Sequence, residues 1–254
     1  MSTSRKRAIE ALLKAIETGE PGPVAVVDEA RYIQHNPQTH EGSEGLAALF
    51  ERLAKSSPRV NVVRIFSDGD FVFGHTEYDF STRRIGFEVF RFEGERAVEH
   101  WDNIQPRRGP NPAGHSMVDG PTEAGAPEQR EPSRALARRL VEEVLIGGAH
   151  EQLRALVDAD FTEHNPALTD GLDSLEAHLG RRDEQGRPHI EYQRLHRVLA
   201  DGEFALAVSE GARGGVHTAF YDLFRVHAGK LVEHWDTTEA VPPKSEWKND
   251  NGKF

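Results

Sequence analysis

Apolar positions in the first half of the chain change from a helical to a strand-like spacing. Apolar residues between Ile9 and Ile16 recur three and four positions apart, which predicts a helix that ends before Gly19. The stretch from Leu46 to Leu53 repeats this spacing, and a shorter helix is predicted between the two. From residue 60 onward the apolar period is two, which is typical of half-buried strands.

The strand-like part contains two hairpin signatures. Four strands are predicted, and the sequences Asp-Gly and Glu-Gly-Glu join the first to the second and the third to the fourth; the strands span 60–66, 71–80, 85–92 and 96–105. An antiparallel sheet of this kind buries one face, and the preceding helices are the available cover. The pattern therefore predicts an α+β unit of helices packed on an antiparallel meander.

This unit recurs along the chain. Three blocks return in the same order: Tyr-Ile-Gln-His-Asn-Pro at 32–37 as Phe-Thr-Glu-His-Asn-Pro at 161–166, the Asp-Gly turn at 68–69 as 201–202, and Val-Glu-His-Trp-Asp at 98–102 unchanged as 232–236. Such ordered recurrence indicates two tandem copies of one domain-sized unit. We assign unit one to 1–106, unit two to 133–254, and a Pro- and Gly-rich linker to 107–132.

The second copy is predicted to follow the plan of the first. Its expected helices and strands lie near 133–146, 150–157 and 174–181, and near 190–199, 204–210, 219–226 and 230–237. The edges of two such sheets need protection, which packing of one unit on the other would provide.

The amino-acid composition excludes several classes of partner and of chemistry. The 254 residues are 37% hydrophobic and 29% charged, which suits a folded core. A net charge of −11 repels phosphate backbones and anionic lipids, so neither nucleic acid nor membrane is an expected partner. The chain has no cysteine, which excludes disulfides, thiolate nucleophiles and cysteine-ligated zinc. With no long apolar run and no signal-type leader, we expect a cytoplasmic protein.

Candidate chemistry lies on the last two strands of each unit. Alternation places His100 and Asp102 on one face, and Glu88, Phe90 and Phe92 of the preceding strand share a face as well. The phenylalanines mark this face as the buried one. We therefore expect Glu88, His100 and Asp102 to enter a largely apolar pocket together.

The second unit carries the matching set Asp222, His234 and Asp236. Desolvation raises the pKa of a carboxyl group and a nearby imidazolium lowers it, so such a pair can be tuned to exchange protons near neutral pH. We expect Asp102 to act as a base with His100 as its partner. The second pocket is either active through Asp236 or a structural copy.

Three other histidines are expected to position substrate or relay protons. His75 lies on the second strand, and Val208 takes its place in the second unit, so the two pockets differ. His35 and His164 belong to the His-Asn-Pro blocks. The structural alternatives are that the His–Asp pairs only satisfy each other and that the His-Asn-Pro blocks anchor loops.

The sequence does not single out a metal or cofactor. His35, His100 and Asp102 are ligand types that suit zinc or iron(II), but their spacing on a strand is a weak signal. Neither a glycine-rich phosphate loop nor a Gly-x-Ser-x-Gly elbow occurs. We expect no resident metal and no cofactor.

The recurring blocks resemble a known family. Phe-Arg-Phe-Glu-Gly-Glu-Arg-Ala-Val-Glu-His-Trp-Asp at 90–102, its counterpart at 224–236, the His-Asn-Pro segments and the C-terminal 247–254 are similar to SnoaL-like proteins of the nuclear-transport-factor-two-like superfamily. This superfamily includes ketosteroid isomerases and polyketide cyclases. The resemblance implies cone-shaped units, each with about three helices and a strongly curved antiparallel sheet around a pocket. It also implies an intrachain pseudo-dimer, with further homo-oligomers left open.

The resemblance also implies an activity. Polyketide cyclases of this family use an aspartate on the last strand as the base for an intramolecular aldol closure, and Asp102 and Asp236 occupy that kind of position. The assisting histidine of those cyclases lies on the preceding strand, where this chain has Glu88 and Asp222. The first hypothesis is a cofactor-independent enzyme for aldol-type cyclisation or isomerisation of a small, apolar, carbonyl-containing molecule. The alternatives are a non-catalytic small-molecule binder or scaffold, and epoxide hydrolase-type activation of water.

Overall fold

A computed structural model describes residues 2–254, apart from the side chain of Ser43, and the chain divides into two compact units. The first comprises the residues up to Arg107 together with Pro242–Phe254, and the second comprises Arg108–Val241. This division differs from the predicted boundaries at both ends of the second copy. The segment predicted to be a linker belongs almost wholly to the second unit, and the C-terminal segment belongs to the first.

The first unit consists of helices followed by a sheet. Its elements are α1 (Ser2–Thr18), a 3₁₀ turn (Gly22–Val26), β1 (Ile33–Gln34), α2 (Gly42–Ala54), β2 (Arg59–Asp68), β3 (Phe71–Asp79), β4 (Arg83–Glu93) and β5 (Arg96–Pro106). The strand order is β1-β5-β4-β3-β2, and all pairs except β1 with β5 are antiparallel. The short parallel strand β1 was not predicted, because two residues carry no period.

The second unit repeats this order. Its elements are α3 (Arg130–Arg139), which continues as a π-helical segment (Leu140–Ile146), α4 (Leu153–Leu156), β6 (Val157–Glu163), α5 (Leu172–Leu179), β7 (Ile190–Asp201), β8 (Phe204–Arg213), β9 (Val216–His227) and β10 (Lys230–Ala240). The order β6-β10-β9-β8-β7 matches that of the first sheet, and β6 again pairs parallel with the last strand.

One apolar core holds the helices of each unit on its sheet. In the first unit Ile9 and Leu12 of α1 are buried together with Phe90 and Phe92 of β4. Burying side chains of this size stabilises the layer by about 1.5–3 kcal/mol each. The predicted α+β class is confirmed. The intrachain pseudo-dimer stays a prediction. None of the helices within residues 2–254 has the length and apolar character that a membrane crossing requires.

Candidate functional site

The second unit contains a small, partly enclosed cavity between its helices and its sheet, in which the centres of water-sized molecules can occupy about 40 Å³. Most of the wall is apolar, and it includes Leu140, Leu145, Phe161, Leu175, Phe220 and Phe224. The cavity therefore suits a largely apolar molecule with a few polar groups.

The predicted polar set of the second unit lines this cavity. Asp222 of β9 is the direct cross-strand partner of Asp236 on β10, and His234 lies two residues before Asp236 on the same face. Asp222, His234 and Asp236 are all buried, and all three contribute to the wall. Strand alternation and register bring these residues together.

His234 is held between two carboxylates. Its Nδ1 lies 3.0 Å from Oε1 of Glu163, and its Nε2 lies 3.1 Å from Oδ1 of Asp222. Burial alone would lower the pKa of His234, but the charge of Glu163 and the hydrogen bond to Asp222 outweigh burial and raise it well above its usual value. Both ring nitrogens therefore donate, and His234 is a fixed imidazolium.

Asp236 is a carboxyl group whose pKa is shifted toward neutrality. Its Oδ2 accepts a hydrogen bond from Nδ2 of Asn165 at 2.8 Å. Burial raises the pKa of Asp236 to about 6, while the positive charge of His234 partly opposes this rise. The group is mostly ionised at neutral pH and can still carry a proton slightly below it.

Sequence reasoning missed several polar residues of this site. Glu163 comes directly before His164 in the sequence. Strand alternation could have predicted that these two neighbours face opposite sides of the sheet. The Tyr192 hydroxyl donates to both Asp222 oxygens at 3.1 Å, and burial raises its pKa well above 10. His178 and Arg213 also line the cavity.

His178 and Arg213 differ from the acidic cluster in charge and exposure. His178 is buried, and its Nδ1 has no hydrogen-bond partner among residues 2–254. Burial, assisted by the charge of Arg181, lowers the pKa of His178 to about 4, so the ring is neutral at pH 7. Arg213 is exposed and donates to Oγ1 of Thr238 at 2.9 Å.

The first unit has a similar cluster with one acid replaced. Nε2 of His100 lies 2.7 Å from Glu88, and its Nδ1 lies 3.0 Å from Oε1 of Gln34, which takes the place of Glu163. The same Gln34 oxygen accepts the backbone N–H of Asn36, so Nδ1 of His100 must donate to it. Nδ2 of Asn36 donates to Asp102 at 2.7 Å.

Asp102 also has a cationic neighbour. Nζ of Lys253 lies 3.4 Å from its Oδ1, and the Lys253 side chain is only 1% exposed. Burial raises the pKa of Glu88, while the hydrogen bond from His100 lowers it. Two clefts on the first unit are lined by residues outside this cluster. The members of the first cluster thus pair with one another and, through Asp102, with Lys253.

The structure corrects the placement of His75. In the register of β3 and β4, His75 pairs with Phe87, whereas Glu88 pairs with Gly74. His75 therefore lies on the opposite face of the sheet from Glu88 and cannot share its pocket. Its Nδ1 lies 2.8 Å from Arg64, and its ring stacks on Phe87 at 4.5 Å.

The placement of His35 and His164 is also corrected. Nε2 of His35 lies 3.0 Å from Glu99, and the ring stacks on Trp101 at 4.7 Å, both on the face opposite His100. His164 makes the matching contacts at 2.9 Å and 4.5 Å. The residue before each histidine faces the acidic cluster instead, because neighbouring strand positions face opposite sides.

No protein-family model and no curated protein matches the sequence. Solved structures resemble part of the chain. An LEH-like epoxide hydrolase from M. tuberculosis is 21% identical, with 41% of this chain and 84% of that chain covered at a TM-score of 0.36. A Kribbella flavida DSM 17836 protein provisionally described as a ketosteroid isomerase is 26% identical, with 45% and 84% covered at 0.38. An NTF-2 like protein of unknown function from Burkholderia xenovorans LB400 is 18% identical, with 42% and 86% covered at 0.37. Likenesses this weak do not establish an activity.

Proposed function

We propose that the second unit is a cofactor-independent acid–base enzyme in which Asp236 removes a proton next to a carbonyl group. The substrate would be a small, mostly apolar molecule. The observation that carries this proposal is a carboxyl group with a pKa of about 6 in the wall of an apolar cavity. A base is most effective when its pKa lies close to the working pH.

The reaction balances without a redox step. The Asp236 carboxylate takes the α-proton, and the electron pair of the broken C–H bond forms an enolate. In a cyclisation the enolate carbon bonds to a second carbonyl carbon of the same molecule, and the resulting alkoxide recovers the proton from Asp236. In an isomerisation the proton returns to a different carbon. His178 and Arg213 are the donors we assign to the enolate oxygen.

His234 would act through charge and position. Both of its nitrogens already bond to carboxylates, so it has no vacant nitrogen for relaying a proton. Its fixed positive charge offsets Glu163 and Asp222, which would otherwise raise the pKa of Asp236 further. Asn165 orients the carboxylate.

We further propose that the chain is a tandem-duplicated member of the nuclear-transport-factor-two-like superfamily whose first unit has lost catalysis. The recurring sequence blocks and the matching contacts of the two clusters support a duplication. The pairing of Asp102 with the buried Lys253 supports loss of activity, since one oxygen of that carboxylate already has an ammonium partner.

The test is α-proton exchange of small apolar ketones and diketones in D₂O, followed by NMR. We expect wild-type protein to accelerate exchange and Asp236→Asn to lose at least about 100-fold of that acceleration, because the base is removed. The matched variant Asp102→Asn should keep it. Full exchange by Asp236→Asn would refute the proposal, and binding without exchange by wild-type protein would favour a non-catalytic binder.

A further inference from the structure

A second cluster of potential ligands lies in the second unit outside the cavity wall. His115, Asp119 and His164 each offer one donor atom, and these three atoms lie within 4.8 Å of one another. His164 is buried, His115 is partly buried and Asp119 is exposed. His115 and Asp119 come from the segment predicted to be a linker, and His164 comes from the His-Asn-Pro block.

The bonding of His164 calls for a cation at Nδ1. Its Nε2 lies 2.9 Å from Oε1 of Glu233, and that carboxylate also accepts from Arg225 at 2.7 Å. Glu233 is ionised in this setting, so Nε2 must donate. Nδ1 then faces Oδ1 of Asp119 at 2.7 Å and the backbone oxygen of Ser116 at 2.8 Å. Both oxygens only accept, and a bare nitrogen lone pair would be repelled by them.

A proton or a metal ion could satisfy this arrangement, and His115 favours the metal. Nε2 of His115 lies 3.0 Å from Oδ2 of Asp170. Each histidine is therefore tied through one nitrogen to a carboxylate, which is the usual outer partner of a metal-binding histidine. We propose that His115, Asp119 and His164 bind a divalent transition metal ion such as Zn²⁺, with the Ser116 carbonyl as a further oxygen ligand.

Binding of a zinc ion would require the ligand atoms of this cluster to move slightly apart. Ligand atoms about 2.0–2.1 Å from a tetrahedral zinc ion are roughly 3.3 Å apart. The Asp119 side chain is 47% exposed and can move by this amount. The ion would anchor this segment, which already lies close to β10: Trp235 donates to the Asp119 carbonyl at 2.9 Å, and a Cβ at Gly120 would come within 2.6 Å of Glu233.

The proposal does not depend on the proposed acid–base function.

The first unit differs at the matching position. There, Nδ1 of His35 lies 3.0 Å from the Gly252 carbonyl. Within residues 2–254, the two groups with metal-ligand spacing are the present one and Glu88, His100 and Asp102, and His35 belongs to neither.

The experiment uses the full chain after treatment with EDTA. We expect calorimetry to show one tight Zn²⁺ site, and Co²⁺ to give the visible absorption of a low-symmetry site. The melting temperature should rise by about 5 °C at a hundredfold excess of Zn²⁺ over Kd. His115→Ala and Asp119→Asn should each weaken binding at least about tenfold. Both side chains are partly exposed, and circular dichroism will verify that the variants fold.

Two controls make the result decisive. His217→Ala removes an exposed histidine that faces Glu210 at 3.2 Å, and it should bind Zn²⁺ as wild type does. Glu88→Gln alters the other group and should also bind normally. Absence of stoichiometric binding by wild-type protein would mean that a proton occupies Nδ1 and would overturn the proposal. Normal binding by His115→Ala and Asp119→Asn, or its loss in either control, would overturn it too.

Discussion

At the scale of single residues, the proposed base Asp236 would combine a functional and an energetic role. Its burial raises its pKa to about 6, so ionising it in the folded protein is unfavourable. The same shift places the group where a base is useful. The two consequences can be measured separately, one on the reaction and one on stability.

The reaction should depend on pH through this one group. Only the ionised carboxylate can accept the α-proton, so the rate of α-proton exchange should rise with pH, reach half its maximum near pH 6 and then level off. Exchange rates followed by NMR across about pH 4 to 8 will measure this. A rate that stays constant across this range would exclude Asp236 as the base.

Stability should change with pH in the opposite sense. The folded-state pKa of Asp236 lies above the ordinary value of 3.8, so its contribution to stability is complete below about pH 4 and is lost as the pH rises through 6. The loss at neutral pH is about 3 kcal/mol. Asp236→Asn should therefore raise the melting temperature at pH 7 and change it little at pH 4.

The matched substitution in the first unit should have the opposite effect. Asp102→Asn replaces the carboxylate beside the buried ammonium group of Lys253 with a neutral amide, and losing a hydrogen bond to a charged group costs about 1.5–3 kcal/mol. Thermal unfolding at pH 7 will compare the two variants. Stabilisation by Asp102→Asn would contradict the pairing of Asp102 with Lys253.

At the scale of strands, cross-strand register decides which side chains meet. In the first unit Val60 pairs with Tyr78, whose hydroxyl donates to Glu88. In the second unit Tyr192 pairs with Gly211, and the tyrosine now comes from the other strand of the pair. Its hydroxyl still reaches the carboxylate at the position matching Glu88. The register thus keeps this contact while the residue changes strand.

Gly211, which pairs with Tyr192 in the second unit, should not tolerate a side chain. A Cβ at Gly211 would lie 1.9 Å from the backbone oxygen of Glu191, whereas a Cβ at Gly74 in β3 would lie 3.3 Å from that of Arg64. Gly211→Ala should destabilise its unit by about 3 kcal/mol or more, and Gly74→Ala by about 1 kcal/mol. Denaturant unfolding will measure both. Equal effects would mean that the two strand pairs are not spaced as described.

The strands that could be predicted from the sequence are those with a local pattern of alternating apolar residues and a turn. The apolar alternation and the Asp-Gly turn predicted 71–80, and β3 spans Phe71–Asp79. The parallel strands β1 and β6 went unpredicted, because their pairing depends on a distant partner strand. The face of His75 was also misjudged, since the register of β3 against β4, which no local pattern encodes, sets it.

At the scale of the whole molecule, each unit is completed by a segment that follows the last strand of the other unit in the sequence. Pro242–Phe254 follows β10 and belongs to the first unit, and the residues from Arg108 onward follow β5 and belong to the second. Asn249 donates to the carbonyls of Asn36 and Thr39 in the first unit, at 2.8 and 2.9 Å. Asn111 donates to the Glu163 carbonyl in the second at 2.6 Å. Both segments lie against a His-Asn-Pro block, and this explains why the compact units differ from the predicted domains.

Removing either amide should loosen one unit only. Asn249→Ala should increase hydrogen exchange around 33–39, and Asn111→Ala around 161–166, each by a local loss of about 1–3 kcal/mol for an unsatisfied buried carbonyl. Hydrogen–deuterium exchange with mass spectrometry resolves the two regions. Increased exchange in both regions from either substitution would show that the segments do not act on separate units.

The amino-acid sequence by itself determined the helices, the antiparallel strands, the recurrence of the unit, and the shared face of each terminal histidine and aspartate. The helices, the strands and the shared faces follow from periodicity over a few residues, and the recurrence follows from sequence blocks that return in the same order. Tertiary structure alone decided that Asp236 lines a cavity while Asp102 faces Lys253, and that His35 and His164 lie on the opposite face from their predicted clusters. These outcomes depend on register and packing between residues far apart in the chain, which local periodicity does not record.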